Sequence, residues 1–278
     1  MKKYLSHTFE IDDKELISVI DELPLWSAPF GLSLLDTIKI GKGMKVLDIG
    51  SGLGFPMIEI AQRLGESSVV YGIDPWEPAN ERARKKAAKY GIKNVEVING
   101  AAENLPFENS YFDLIVSNNG INNVSDLLKT LEEIRRVSKK GAQFVFTMNL
   151  EDTMIEFYNA LREELEIDND TDAITKVREH IYQKRRPVSE IVDLLQSCDF
   201  GINSVKEDIF YLRFADAETM FNYSLIKYWF LGSWKSLVAT DKLEDVFERV
   251  EMRLNEIASS KNEIKLSVPF ISVDCETI

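Results

Sequence analysis

The stretch Val46-Leu47-Asp48-Ile49-Gly50-Ser51-Gly52-Leu53-Gly54 decides the fold of this chain, because a short apolar strand ends there in a glycine-rich turn. Residues 55–65 follow with apolar side chains at helical spacing and stop at Gly65, so the turn joins a strand to a helix. Glycines in such a turn adopt backbone angles closed to other residues and let a ligand approach the main chain. The segment therefore predicts a ligand site at the carboxyl end of a strand.

Strands and helices alternate on both sides of this turn. After it, strands are predicted at residues 68–73, 95–99, 112–117 and 143–148, with helices at residues 78–90 and 125–138. Before it, helices are predicted at residues 12–22 and 27–38, with Ser27 as the cap of the second helix and Pro29 in its first turn. Alternation over residues 40–150 specifies a mostly parallel sheet covered on both faces.

The pattern becomes more helical after residue 150. Helices are predicted at about 151–166, 171–185, 188–197 and 216–259, and extended segments at residues 202–214 and 263–274. We therefore divide the chain into residues 1–150, with N-terminal helices and a ligand-binding core, and residues 151–278, which complete the sheet and add helices that cover the substrate. Because no Gly/Ser-rich linker separates them, both parts are expected to form one structural unit.

Composition narrows the possible partners. The chain has 278 residues and a formal net charge of −13, and this negative charge disfavours nucleic acid as a binding partner. Two short basic clusters, at residues 82–89 and 184–186, are interpreted as solvated helix faces. Two histidines and two cysteines without ligand spacing predict no metal site. No apolar run reaches the length of a signal peptide or a membrane span, so a cytoplasmic protein is expected.

The glycine spacing argues against a dinucleotide. The dinucleotide-binding fingerprint is Gly-x-Gly-x-x-Gly. Aligned to start at Gly50, it requires its third glycine at position 55, which is occupied by Phe55; aligned to start at Gly52, it requires that glycine at position 57, which is occupied by Met57. Both frames therefore fail. An NAD-dependent oxidoreductase is the weakest of the nucleotide-binding alternatives.

Two acidic residues favour a different adenosine ligand. Asp48 lies at the end of the first strand, where a buried carboxylate suits an α-ammonium group better than a pyrophosphate. Asp74 ends the next strand, about 20 residues beyond the glycines, where an acid accepts hydrogen bonds from ribose hydroxyls. The ribose contact is common to NAD and S-adenosylmethionine, so Asp48 and the glycine frame decide between them.

Four segments taken together resemble the ordered motifs of class I S-adenosylmethionine-dependent methyltransferases, close to the branch that methylates quinones and other small molecules. They are the glycine turn, Gly72-Ile73-Asp74, residues 100–107 and Phe112-Asp113-Leu114-Ile115-Val116-Ser117-Asn118. The resemblance covers residues 40–150. It implies a doubly wound, mostly parallel, seven-stranded Rossmann-like sheet with helical insertions over the carboxyl edge of the strands. It also implies S-adenosylmethionine as cofactor, S-adenosylhomocysteine as product and a small-molecule methyl acceptor.

The resemblance also assigns cofactor contacts. It implies that the methionine end of the cofactor is lined by Asp48, Gly50, Ser51 and Gly52, with Asn118 nearby. It implies that Asp74 holds the ribose. For the adenine, it implies that Pro75 or Trp76 packs on the ring and that Ala102 and Glu103 lie at its edge. The chain departs from the family at Ala101, where an acid often bonds the adenine amino group. Glu103 or backbone groups would substitute, or that bond is absent.

No catalytic residue is assigned. In-line methyl transfer needs mainly a nucleophile held at ~3 Å in an aligned, dry site. Candidate acceptor contacts are Trp26, Asn119, Asn122, Asn123 and His180. Each also has a structural interpretation, as a core tryptophan, as turn residues or as a solvated helical histidine. Residues 208–236 are rich in aromatic side chains, which we interpret as core or dimer contacts in preference to a wall that binds the substrate.

The function predicted from the sequence is direct methyl transfer to a small molecule. The missing acid at Ala101 and the lack of an evident base leave one alternative, a non-catalytic module that binds S-adenosylmethionine or a partner protein. A monomer or a homodimer is expected.

Overall fold

The described residues build an α/β fold around a seven-stranded sheet. The computed structural model describes residues 2, 4–7, 10 and 12–278. The strands in these residues are β1 (Lys45–Ile49), β2 (Val69–Asp74), β3 (Val95–Asn99), β4 (Phe112–Asn118), β5 (Ser138–Asn149), β6 (Phe200–Phe214) and β7 (Ile264–Thr277). The α-helices are α1 (Lys14–Val19), α2 (Glu22–Thr37), α3 (Met57–Leu64), α4 (Glu77–Tyr90), α5 (Leu127–Val137), α6 (Ile155–Ile167), α7 (Thr171–Lys184), α8 (Val188–Ser197), α9 (Ala217–Asn222), α10 (Leu231–Lys235) and α11 (Leu243–Lys261).

The strand order is β3-β2-β1-β4-β5-β7-β6. Strands β3, β2, β1, β4 and β5 pair in parallel, and β7 joins β5 antiparallel. The predicted seven-stranded, mostly parallel sheet is confirmed. The order reverses direction at β1, which lies between β2 and β4, and open α/β sheets bind ligands at the carboxyl ends of the strands beside such a point.

Hydrophobic periodicity explains how the helices pack on this sheet. Strand β1 is buried along nearly its whole length, as expected for a central parallel strand. Helix α3 presents one apolar face to the core, formed by Met57, Ile58, Ile60, Ala61 and Leu64. That face packs in one cluster with Val46 and Val70 of the neighbouring strands, so the turn between β1 and α3 is anchored at both ends.

The chain divides into two compact units. The first, here called the sheet unit, comprises residues 12–149, 187–208 and 270–278. The second, here called the helical unit, comprises residues 1–11, 150–186 and 209–269, of which residues 1, 3, 8, 9 and 11 are not described. One border between the units falls after residue 149, and residues 187–208 and 270–278 belong with the earlier part of the chain. The predicted division after residue 150 stays a prediction.

Aromatic side chains fill the core of the helical unit. The ring of Phe157 stacks on that of Trp234 with centroids 3.7 Å apart, and Phe221 stacks on Tyr4 at 4.6 Å. The Trp234 Nε1–H donates to the Tyr158 hydroxyl at 3.1 Å. The buried members of the aromatic stretch 208–236 are therefore core residues, as favoured from the sequence.

Two local predictions are wrong. Helix α2 begins at Glu22, so Ser27 lies inside it and its hydroxyl donates to the Leu23 carbonyl at 3.0 Å instead of capping an N-terminus. Pro29 consequently lies in the middle of the helix. Residues 216–259 do not form one continuous helix, because a π-helix at Ile226–Phe230 and a break before α11 interrupt it.

The described residues contain neither a membrane-spanning helix nor a cluster of metal-binding side chains. No helix there combines the length and the apolar character needed to cross a membrane. No three His, Cys, Asp or Glu side chains in the same part of the chain are grouped to hold a metal ion.

Candidate functional site

The turn between β1 and α3 is built on three glycines in left-handed backbone conformations. The φ angles are 72° at Gly50, 47° at Gly52 and 94° at Gly54, a region that costs other residues strain. A Cβ built on Gly52 would meet only the Gly50 carbonyl oxygen, at 4.0 Å. The main chain at Gly52 is therefore open to an approaching ligand, as the sequence predicted for this turn.

Gly120, which sequence analysis did not identify, lies against the same turn. A Cβ built on Gly120 would lie 2.6 Å from the Ile49 carbonyl oxygen and 2.9 Å from the Ser117 hydroxyl. The Ser117 hydroxyl itself donates to the Ile49 carbonyl at 2.8 Å and accepts from the Ile121 N–H at 3.2 Å. The carboxyl ends of β1 and β4 are thus joined by close packing and by hydrogen bonds.

Asp74 holds the shape of the glycine turn. Its Oδ2 accepts the Gly52 N–H at 2.9 Å, and its Oδ1 accepts the Trp76 N–H at 2.8 Å. Burial raises the pKa of Asp74, and the two backbone N–H groups offset part of that rise. Each carboxylate oxygen can accept a second hydrogen bond, so Asp74 can shape the turn and still receive ligand hydroxyls.

Two asparagines support the turn that follows Asp74. The Asn80 amide donates to the Asp74 carbonyl at 2.9 Å, and the Asn99 amide donates to the Pro75 carbonyl at 3.3 Å. Pro75 is exposed and Trp76 is half-buried at the start of α4. The predicted packing of these two side chains on an adenine ring stays a prediction.

Asp48 is a buried carboxylate without a partner. The residue is fully buried, and neither carboxylate oxygen has a hydrogen-bond partner among the residues that the structure describes. Burial raises the pKa of Asp48 well above the ordinary carboxyl value; the Met57 N–H opposes this rise without reaching hydrogen-bond geometry, and the Asp74 carboxylate adds to it. A buried carboxylate in this condition is complementary to a cation or a hydrogen-bond donor.

The Ser51 hydroxyl, near Asp48, is likewise buried without a hydrogen-bond partner among the described residues. Asp48 pairs with Gly72 across the sheet, and a Cβ built on Gly72 would lie 2.8 Å from the Ser51 hydroxyl oxygen. That oxygen is buried and has no hydrogen-bond partner within the described part of the chain. Both groups can therefore accept hydrogen bonds from a ligand, and their predicted contact with the methionine end of S-adenosylmethionine stays a prediction.

Glu103 is engaged with the start of α5. Its Oε1 accepts the N–H groups of Ser125 at 2.7 Å and Asp126 at 3.2 Å, next to the N-cap of that helix. Ala102 is buried and Ala101 is exposed. Contacts of Ala102 and Glu103 with an adenine stay predictions.

Asn118 links the end of β4 to α2 and β5. Its amide donates to the Ser27 carbonyl at 3.1 Å, and its Oδ1 accepts from the Thr147 hydroxyl at 3.0 Å. Trp26, one residue before Ser27, is buried and packs edge-on against Phe30 at 5.4 Å. Both residues have structural contacts in the sheet unit, and their predicted ligand contacts stay predictions.

Three asparagines form a polar cluster at the carboxyl ends of β4 and β5. The Asn119 Oδ1 accepts from the Asn122 amide at 2.7 Å and from the Asn149 N–H at 3.0 Å. The Asn122 amide also donates to Asn149 Oδ1, while the buried Asn122 Oδ1 has no partner in the described structure. Asn123 is exposed. Asn149 was missed from the sequence, because only the parallel pairing of β4 with β5 brings it to Asn119.

His180 belongs to the helical unit. It is half-buried on α7, and burial, together with the charges of Arg185 and Lys184, lowers the pKa of His180 to about 4. The imidazole is therefore neutral at physiological pH, and it is not the freely solvated side chain that was one interpretation of the sequence.

Comparisons with known proteins agree with this architecture. The model of a family described as methyltransferase domain matches residues 40–194, which is more than half of the chain. A demethylmenaquinone methyltransferase of Geobacillus sp. (strain WCH70) is 34% identical over 125 residues, 44% of this chain and 53% of that protein. One of Bacillus mycoides (strain KBAB4) is 35% identical over 115 residues, 41% and 48% of the two chains. The chain thus spans about half the length of the curated relatives it matches.

Solved structures share the fold at lower identity. The YcgJ protein of Bacillus subtilis has a TM-score of 0.57 and 19% identity, covering 90% of this chain and 98% of its own. Geranyl diphosphate C-methyltransferase of Streptomyces coelicolor A3(2) has a TM-score of 0.57 and 14% identity, covering 100% of this chain and 90% of its own. The family match, the motif order and the sheet topology agree: the chain belongs to the methyltransferase domain family, as a class I S-adenosylmethionine-dependent methyltransferase.

Proposed function

We propose that this chain transfers the methyl group of S-adenosylmethionine directly, in line, to a small-molecule acceptor. The observation that carries the proposal is the pair of unsatisfied acceptors beneath an open glycine turn, the Asp48 carboxylate and the Ser51 hydroxyl. Buried polar groups without partners are costly to a fold, and a ligand that brings donors to them removes that cost. The α-ammonium group of S-adenosylmethionine is such a donor.

The residues of the turn have complementary roles in this proposal. Asp74 accepts the ribose hydroxyls with the lone pairs that its two N–H bonds leave free. The open main chain at Gly52 lets the ligand approach closely, and either Pro75 or Trp76 packs on the adenine, as the family resemblance implies. When bound, S-adenosylmethionine supplies an electrophilic methyl group on a sulfonium and leaves as S-adenosylhomocysteine.

The asparagine cluster supports binding of a polar acceptor in the sheet unit. Asn119 and Asn122 flank Gly120, which packs on the glycine turn, so their side chains belong to the same edge of the sheet as the cofactor residues. The unpartnered Asn122 Oδ1 accepts a hydroxyl or N–H group of the acceptor. Because the matched relatives are named demethylmenaquinone methyltransferases, a hydroxylated ring of the quinone type is the first acceptor to test.

Binding is the first test. We expect saturable micromolar binding of S-adenosylmethionine and S-adenosylhomocysteine by isothermal titration calorimetry, and a rise in Tm with either ligand. NADH serves as the control ligand and is expected to give neither. An absence of both signals with the sulfur ligands would overturn the proposal, and tight NADH binding would replace it with an oxidoreductase.

Turnover is the second test. Release of S-adenosylhomocysteine is measured with a reduced demethylated naphthoquinone and with a panel of phenols, amines and carboxylates. Product formation with any of them supports catalysis on a small molecule. Cofactor binding without turnover on any acceptor would favour the non-catalytic binding module instead. A cytoplasmic location, a monomeric or dimeric state and the lack of a nucleic-acid partner stay predictions.

A further inference from the structure

Arg185 is a buried cation in the helical unit. It follows the last residue of α7 and is 3% exposed, whereas its neighbour Lys184 is exposed. Its Nε and Nη1 atoms are buried and have no hydrogen-bond partner among the described residues. The interpretation of residues 184–186 as a solvated helix face is therefore wrong for Arg185.

The cation–π contact that the structure gives this guanidinium leaves its Nε and Nη1 donors unused. The carbon at its centre lies 5.6 Å from the centroid of the Tyr158 ring. A cation–π contact of this kind satisfies the face of the guanidinium, while the N–H donors point outward in its plane. Buried arginines are normally paired with a carboxylate or a phosphate, which accepts two of those in-plane donors.

Groups suited to a ligand surround the same tyrosine. The His180 ring lies 6.1 Å from the Tyr158 ring, centroid to centroid. Because this imidazole is neutral, it offers an N–H donor without placing a second positive charge near Arg185. The Tyr158 hydroxyl accepts from Trp234 Nε1, which leaves its own hydrogen available as a donor. The ring of the half-buried Phe230 lies 5.9 Å from that of Trp234, centroid to centroid.

We propose that Arg185, together with His180 and Tyr158, binds an oxyanion of a small molecule, a carboxylate or a phosphate attached to an apolar body. The local donors supply the recognition, because a chain with a net charge of −13 gives no general attraction for anions. Arg185 donates its in-plane N–H groups to the oxyanion, and the half-buried Phe230 ring packs on the apolar body. This site lies entirely in the helical unit and does not depend on S-adenosylmethionine binding.

The test uses benzoate and inorganic phosphate as probes on the full chain, by isothermal titration calorimetry. The variant Arg185→Met removes the charge and keeps much of the volume. Arg186→Met is the matched control, because Arg186 is the adjacent, less buried arginine. We expect the wild type to bind at least one probe, Arg185→Met to weaken that binding at least tenfold, and Arg186→Met to leave it unchanged. The preferred probe identifies the oxyanion.

Three outcomes would overturn the proposal: no binding of either probe by the wild type, equal affinity in the wild type and Arg185→Met, or an equal loss in both arginine variants. Thermal unfolding checks that the variants fold. Because replacing an unpaired buried charge by an apolar group is neutral or stabilising, Arg185→Met is expected to keep or raise Tm. S-adenosylhomocysteine binding, measured on the same samples, reports separately on the sheet unit.

A spectroscopic readout separates ligand binding from a purely structural role. The positive charge of Arg185 contributes to the lowered pKa of His180. A bound oxyanion neutralises that charge, so the pKa of His180, followed by NMR titration, should rise from about 4 toward its ordinary value when the probe is saturating. An unchanged His180 titration with a saturating probe would place the probe elsewhere and contradict the proposal.

Discussion

Gly50 and Gly120 meet backbone to backbone, so that a Cβ built on Gly50 would lie 2.9 Å from the Cα of Gly120. Gly50 follows β1 and Gly120 follows β4, and these strands are parallel neighbours in the sheet. The carboxyl ends of two such strands, where the strand order reverses, form the ligand crevice of open α/β sheets. The base of the candidate cofactor site is therefore closed by a contact that no larger residue permits.

Replacing Gly120 with alanine tests this contact. Gly120 has an ordinary φ of −85°, so a Cβ acts through sterics alone, and the nearest atom, the Ile49 carbonyl oxygen, would be 2.6 Å away. Overpacking against backbone costs about 1–3 kcal/mol. We expect Gly120→Ala to lower the free energy of unfolding in urea by that amount and to weaken S-adenosylhomocysteine binding at least tenfold by calorimetry.

Gly232→Ala is the matched control. Gly232 lies in α10, and a Cβ built there finds no atom within 4 Å. Glycine to alanine at a compatible helical position stabilises by about 0.4–1 kcal/mol. If Gly120→Ala matched the wild type in both stability and affinity, the close approach would not be needed for the site.

Elements whose signals are local were predictable from the sequence. Helix α3 shows apolar spacing within eight residues, and the β1 turn combines an apolar strand with three glycines, so both were predicted near their observed places. Asp74 was expected beside the glycine turn because its distance along the chain from the glycines reflects the width of one strand–helix–strand unit. Its carboxylate does accept the Gly52 N–H, while its contact with a ribose stays a prediction. Such signals need no knowledge of which distant segments meet.

The remaining features depend on long-range contacts. The close approach of Gly120 and the position of Asn149 arise from strand pairing across the sheet, which a single sequence does not display. The burial of Arg185 could not be read from a cluster of three basic residues, because packing in the helical unit decides it. The start of α2 was placed too late, since Ser27 before Pro29 imitates an N-cap.

Asp74→Asn is expected to weaken the site in two ways. One carboxylate oxygen becomes an amide donor that faces either the Gly52 or the Trp76 N–H, and the charge that favours ribose hydroxyls is lost. Leaving a buried donor unsatisfied costs about 1–3 kcal/mol, which corresponds to a roughly 5- to 150-fold loss of S-adenosylhomocysteine affinity by calorimetry.

Asp13→Asn provides the control for Asp74. Asp13 caps α1 through the Leu16 N–H, and asparagine is an equally good cap, so affinity and stability should stay unchanged. Wild-type affinity in Asp74→Asn would rule out a ribose contact by this residue.

Trp234→Ala tests the assignment of the aromatic stretch to the core. Trp234 is fully buried and stacked on Phe157, and truncation of such a residue costs about 3–5 kcal/mol. We expect that loss in urea unfolding, against a clearly smaller loss for the half-buried Trp229→Ala. Near-wild-type stability of Trp234→Ala, accompanied by loss of turnover, would instead assign Trp234 to a substrate wall.

Asp48 makes stability depend on pH in a direction opposite to that of a paired carboxylate. Burial raises its pKa in the folded protein, so above the ordinary carboxyl pKa the folded chain holds a proton that the unfolded chain has lost. Stability is therefore lost as pH rises from the ordinary value to the raised one, by up to about 1.4 kcal/mol per pH unit. Asp48→Asn removes this effect, so its advantage in urea unfolding should be near zero at acidic pH and grow as pH rises. An advantage that is constant with pH would contradict the raised pKa.

Cofactor binding should reverse the preference of Asp48 for its protonated form. An ammonium group near the carboxylate favours its ionised form, so binding of S-adenosylhomocysteine should release a proton within the same pH window. Calorimetric titrations in two buffers of different ionisation enthalpy measure that proton directly. Asp48→Asn should release none and bind at least tenfold more weakly, although its unliganded form is the more stable. Equal proton release by both proteins would show that a group other than Asp48 receives the ammonium.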